Sequence, residues 1–209
     1  MRELNPVLIK ELRNRMRGAR AFILITIYLL VLSGITMLIY LAVASNLEND
    51  MNAGRQIGKI LFLSISTVAL IEVCLITPAL TAGSIVGEKE RQSYDLLISS
   101  LLTPGQIVRG KLGSALAFAV ILIIAVLPVM SLSFLFGGVI LAEVVIALIG
   151  LLTTAILYAS IGLFWSTVMR SSLGATIISL STIVAILLLI PFLWVISSVF
   201  YYQVNRPSE

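Results

Sequence analysis

Residues 105–111, GQIVRGK, carry the spacing of a phosphate-cradling loop, G-x-x-x-x-G-K. In such a loop backbone N–H groups wrap the phosphates, the lysine reaches the outer ones, and a following Ser or Thr holds Mg²⁺. The next residue here is Leu112, which has no hydroxyl, and Pro104 stands where a buried strand belongs. The stretch therefore reads as the foot of an apolar segment, with Arg109 and Lys111 as basic anchors. Glu72 is the second candidate, deep in an apolar run, where a charge costs on the order of 2.5–3.5 kcal/mol. Two readings stand for it. It is a proton site or polar wall facing a bundle interior or a water-filled path, or it is a protonated carboxyl bonded to a neighbouring helix for packing. Cys74 is the single cysteine and, two positions away, points to a different side of a helix. Glu143 lies within a turn of Gly137-Gly138 and is expected to reach the membrane interface. The chain has no His, the commonest general base. Nothing resembles a Ser/His or paired-carboxylate set, so an intramembrane enzyme is not expected.

The elements that position these groups follow from composition. Hydrophobic residues make up 59% of the 209 and charged ones 11%, against about 45–50% and about 25% in soluble domains. The chain is an integral membrane protein, a single domain over 1–209. Five apolar runs, 21–43, 60–86, 112–136, 139–168 and 173–202, each reach the roughly 20 residues that span a bilayer as a helix. They are continuous rather than alternating, which argues for helices over a β-barrel. Pro128 is expected to kink the third run, and Gly137-Gly138 to turn the third and fourth into an antiparallel hairpin. Gly113 with Ala117, and Ala115 with Ala119, permit close helix contact. Pro191 divides the last run; either its second part is re-entrant or interfacial, or the whole is one long kinked helix.

Between the runs lie two charged stretches. In 2–20, Leu4, Leu8, Leu12 and Met16 fall together on a helical wheel, with Lys10, Arg13 and Arg17 opposite. This pattern predicts an interfacial amphipathic helix whose cations face anionic lipid or a partner; the alternative is a basic flank without another role. The apolar run after it is too long for a secretory signal. Only Arg55, Lys59 and Arg206 of the 14 basic residues fall on the side opposite the N-terminus, which predicts a cytoplasmic N-terminus and a cytoplasmic 87–111. In 87–111, Tyr94, Leu97, Ile98 and Leu101 share one side of a short helix. Thr103, Pro104 and Gln106 then read as N-cap, first helical residue and capping-box partner of the next helix.

Three blocks resemble the membrane subunit of an ABC-2 type transporter. They are the basic helix from Asn5-Pro6 to Arg20, the GEKERQSYDLL block at 87–97, and Thr103-Pro104 through Gly110-Lys111. The resemblance implies an all-α integral membrane protein with an N-terminal interfacial helix and a cytoplasmic coupling helix between spans 2 and 3. Its usual six-span bundle would here lack the last span, leaving about five. It implies that 87–111 lies against a cytoplasmic ABC ATPase subunit, with Glu88, Lys89, Glu90, Arg91, Tyr94, Asp95, Leu97 and Ile98 as the coupling set. Apolar anchors inside a charged rim suit a groove on such a partner; the bland alternative is a solvated loop held by the N-terminal helix. The expected function is a permease subunit of the cell membrane, an exporter driven by ATP and Mg bound in the partner. No cofactor of its own and no nucleic acid are implied, and a homodimer or a heterodimer with a similar permease is. A non-transporting assembly or sensor protein using the same loop is the alternative, favoured by the missing sixth span.

Overall fold

Hydrocarbon offers no partner for backbone N–H and C=O groups, so each apolar run satisfies its own backbone as a helix. The computed structural model describes residues 19–45, 53–90 and 103–204, and among them there is no strand. The helices are α1 (Ala19–Ala44), α2 (Ala53–Glu90), α3 (Pro104–Phe136), α4 (Leu141–Val168) and α5 (Ser172–Val204). All five are long and apolar enough to cross a membrane. Lys10, Arg13 and Arg17 of the expected interfacial helix, and Arg91, Tyr94, Asp95, Leu97 and Ile98, lie outside the described residues.

The bundle is built around α2, which packs against each of the other four helices and most extensively against α4. Its buried stripe, Ile57, Leu61, Ile65, Ala69 and Val73, recurs every four residues, as one helix face must. Tyr28 and Leu32 of α1, Leu122 and Val126 of α3, and Leu151 and Ala155 of α4 close on that stripe. At 38 residues α2 is about 57 Å long, nearly twice the roughly 30 Å hydrocarbon core. It starts before the apolar run at 60 and continues through Gly87, Glu88, Lys89 and Glu90, which the sequence pattern places in a loop. Glu and Lys are good helix formers, and the partners described below hold them there. The last run is one helix through Pro191 rather than a span and a re-entrant piece. Its far half, including Phe192, Trp194 and Phe200, is exposed.

Close approach is made by glycine. A side chain on Gly162 of α4 would collide with Thr81 Oγ1 and come within 2.8 Å of Pro78 O. One on Gly58 of α2 would collide with Gly137 O and lie 2.9 Å from Ser133 O. Apolar side chains gain nothing from leaving lipid for one another, so contact at this range is what binds membrane helices. Gly137 and Gly138 take φ of 74° and 101°, open to glycine at little cost, and join α3 to α4 over the start of α2. Ala115 and Ala119 are buried, whereas Gly113 and Ala117 are half-buried.

Replacing Gly162 by Val forces α2 and α4 apart, and a loss of about 3 kcal/mol is expected. Thermal unfolding in detergent will show it as a lowered midpoint. Gly150→Val, with nothing within 4 Å of its added carbon, is the control. An equal loss at both positions would refute the close-contact account.

Candidate functional site

Two groups of polar residues are set against this apolar frame. The first gathers where α2 ends, α3 begins and α4 passes to α5. Helix α3 starts at Pro104, with Gln106 Oε1 accepting from Thr103 N at 2.9 Å, the arrangement its sequence predicts. Residues 105–111 are thus helical throughout, and the glycine-spaced stretch is not a phosphate loop. Two turns in, Lys111 is 1% exposed, not a headgroup anchor. Its Nζ donates to Glu88 Oε1 at 2.9 Å and to Ser84 O at 2.7 Å, both on α2. An ammonium removed from water needs such partners, because desolvation costs several kcal/mol per ion.

The next two residues of α2 reach the other way. Lys89 Nζ donates to Thr167 O at 2.7 Å. Glu90 Oε1 accepts from Ser172 N at 2.7 Å and so caps α5 with a carboxylate, the charge a helix N-terminus favours. One turn earlier, Ser166 Oγ accepts from both Ile85 N (2.9 Å) and Val86 N (3.1 Å). Glu88, Lys89 and Glu90 of the expected coupling set are therefore brought together, but they are turned onto α3, α4 and α5. Ser166, Thr167 and Ser172 carry no sequence signal, since hydroxyls are common in apolar helices and their partners are about eighty residues away.

The second group lies in the middle of the bundle. Glu72 is half-buried near the centre of α2, and its Oε2 is buried without a hydrogen-bond partner. Tyr28 of α1 is 1% exposed, its hydroxyl is likewise unpartnered, and it lies within electrostatic reach of Glu72. Cys74 faces elsewhere, packed with Tyr158 of α4 and Ile183 of α5. Tyr28 was not singled out by sequence; a phenol in the buried stripe of α1, one turn before Leu32, was the available signal. Between α1 and α3 a groove of about 680 Å³ is lined by Gly34, Met37, Val129 and Leu132. It is apolar, because Ser33 and Thr36 return their hydroxyls to carbonyls of their own helix. Glu143 Oε2 accepts from Ile140 N at 3.1 Å and caps α4.

Four apolar helices round a central fifth, with unpartnered polar groups inside and an ion-paired, hydrogen-bonded end, define a multi-pass integral membrane protein. No curated protein sequence compared with the chain matches it. A family model does, over residues 5–205, and the chain belongs to that family, the ABC-2 family transporter proteins. It is a membrane permease of an ABC transporter, a transmembrane subunit of a kind that associates with an ABC ATPase subunit and is not itself catalytic.

Lys111→Met removes the cation bonded to Glu88 Oε1. A loss of about 2 kcal/mol is expected, less than for a fully buried pair because Glu88 is part-exposed. Adding Glu88→Met recovers part of it, while Arg109→Met, at an exposed site, stays within about 0.5 kcal/mol. Additive losses in the double variant would show that the two groups do not interact.

Proposed function

We propose that this permease couples ATP hydrolysis in a separate cytoplasmic ATPase subunit to outward movement of a substrate. ATP and Mg belong to that subunit. Two such subunits would work on two permease chains, whether copies of this one or one copy with a similar permease. The N-terminus and residues 87–111 face the cytoplasm, and Lys10, Arg13 and Arg17 lie along anionic lipid at that surface of the cell membrane. Residues 91–102 are the docking segment, with Tyr94, Leu97 and Ile98 as anchors and Arg91 and Asp95 on the rim. The observation that supports this most is the length of α2. It runs as one rod-like helix from Glu72 at mid-membrane to Glu90 next to that segment, so displacement of residues 91–102 reaches the spans through its end. Glu88, Lys89 and Glu90 serve the coupling by fixing the end of the rod, and Glu72 with Tyr28 forms a polar wall of the path.

Co-purification with an ATPase subunit, then substrate-dependent hydrolysis in proteoliposomes, tests the coupling. Arg91→Glu with Asp95→Lys is expected to weaken the complex about tenfold or more, as loss of rim charge pairs does at protein interfaces. Unchanged association and transport would reject residues 91–102 as the docking segment. For sidedness, Ser99→Cys in a Cys74→Ala background will react with a membrane-impermeant maleimide in inverted vesicles and not in intact cells; the reverse result rejects the topology. Glu72→Gln keeps shape and removes charge. Transport is expected to fall about tenfold, the scale of one charge-assisted hydrogen bond, with assembly intact. Unaltered transport would leave Glu72 a packing residue.

A further inference from the structure

Pro78 stands inside the α2 helix. Pro78 contributes no N–H to the helical ladder. Thr81 Oγ1 donates to Thr77 O and Pro78 O, both at 3.2 Å, and Ser84 Oγ donates to Thr81 O at 2.7 Å. In a regular helix the N–H groups of Ile85 and Val86 would go to the carbonyls of Thr81 and Ala82. Here both also meet Ser166 Oγ from α4. Hydroxyls and a lysine thus stand in and around the ladder from 78 to 86, the kind of insertion at which helices bend. The site is sealed: Thr81 and Ser166 are 0% exposed and Lys111 1%.

Beyond Pro78, four hydrogen bonds tie α2 to the link from α4 to α5. Ser166, Thr167 and Ser172 bracket the link from α4 to α5, and they hold Ile85, Val86, Lys89 and Glu90. From α3, Lys111 bonds Ser84 O and Glu88. We infer that residues 81–90 and the α4–α5 link move as one body about the Pro78 joint. A stroke applied at residues 91–102 is thereby delivered to α4 and α5, while α3 is the frame against which this body turns. Lys89, Glu90 and Ser166 are positioning residues of that link. The inference rests on the coupling reading above and adds to it the route that the stroke takes.

Bodies that travel together tolerate being joined and fail when they are cut. Glu90→Cys with Ser172→Cys, in a Cys74→Ala parent reconstituted with its ATPase subunit, cuts the contact. The subunit is expected to stay bound, because residues 91–102 are untouched, while transport-coupled hydrolysis falls about tenfold. Bridging the two thiols with a short reducible bis-thiol reagent restores it, and reductant removes the restoration. Ser166→Ala gives a comparable loss with the subunit bound. The inference is overturned if the cysteine pair leaves hydrolysis unchanged, if bridging keeps it low or lowers it further, or if the subunit is lost. A parent that shows no stimulation with the subunit present overturns the coupling reading itself, and the route with it.

Discussion

The structure depends on how near α2 and α4 come to each other. In lipid two apolar helices gain little by touching unless their backbones approach closely. Gly162 provides that approach, bringing α4 against Pro78 and Thr81. Pro78 disturbs the backbone of α2 where outside partners can reach it only from a helix this close. One turn along α4, Ser166 uses the same proximity to bond two backbone N–H groups of α2. Remove the glycine contact and the oxygen no longer reaches, so packing and polar satisfaction at this seam are one constraint.

The charged end extends the same logic to ions. Lys111, Glu88, Lys89 and Glu90 sit where helices end and unpaired N–H and C=O groups are plentiful. Two of them settle on such groups, Thr167 O and Ser172 N, and Lys111 reaches Ser84 O within the last two turns of α2. The same residues thereby finish the helix ends and fasten four helices to one another. A segment that docks a partner needs a base tied to the spans, and these bonds supply it.

The sequence was readable where the signal is local. Continuous apolar runs mark the spans, Thr103-Pro104 with Gln106 marks the start of α3, and paired glycines mark the turn before α4. The end of α2 was not, because Glu88, Lys89 and Glu90 interrupt an apolar run as a loop would. Their helical state depends on Lys111, Thr167 and Ser172, which are 23, 78 and 82 residues away. Lys111 misled for a related reason: a lysine at the foot of a span ordinarily points to headgroups, and only the arrival of α2 buries it. Glu72 was visible as an anomaly, but its neighbour Tyr28 required knowing that α1 lies against that face of α2.

The two ends of the bundle are fastened by different means. At the Gly58–Gly137 end, backbone meets backbone with no room between, and Gly138 rests on Arg55 in the same way. Such a seam has one arrangement, since neither side can yield without a clash. At the opposite end the fastenings are side-chain hydrogen bonds, and those of Lys89 and Glu90 lie where solvent can replace them and give them back. One end is thus riveted and the other latched, and only a latch can be released without rebuilding the helices it joins.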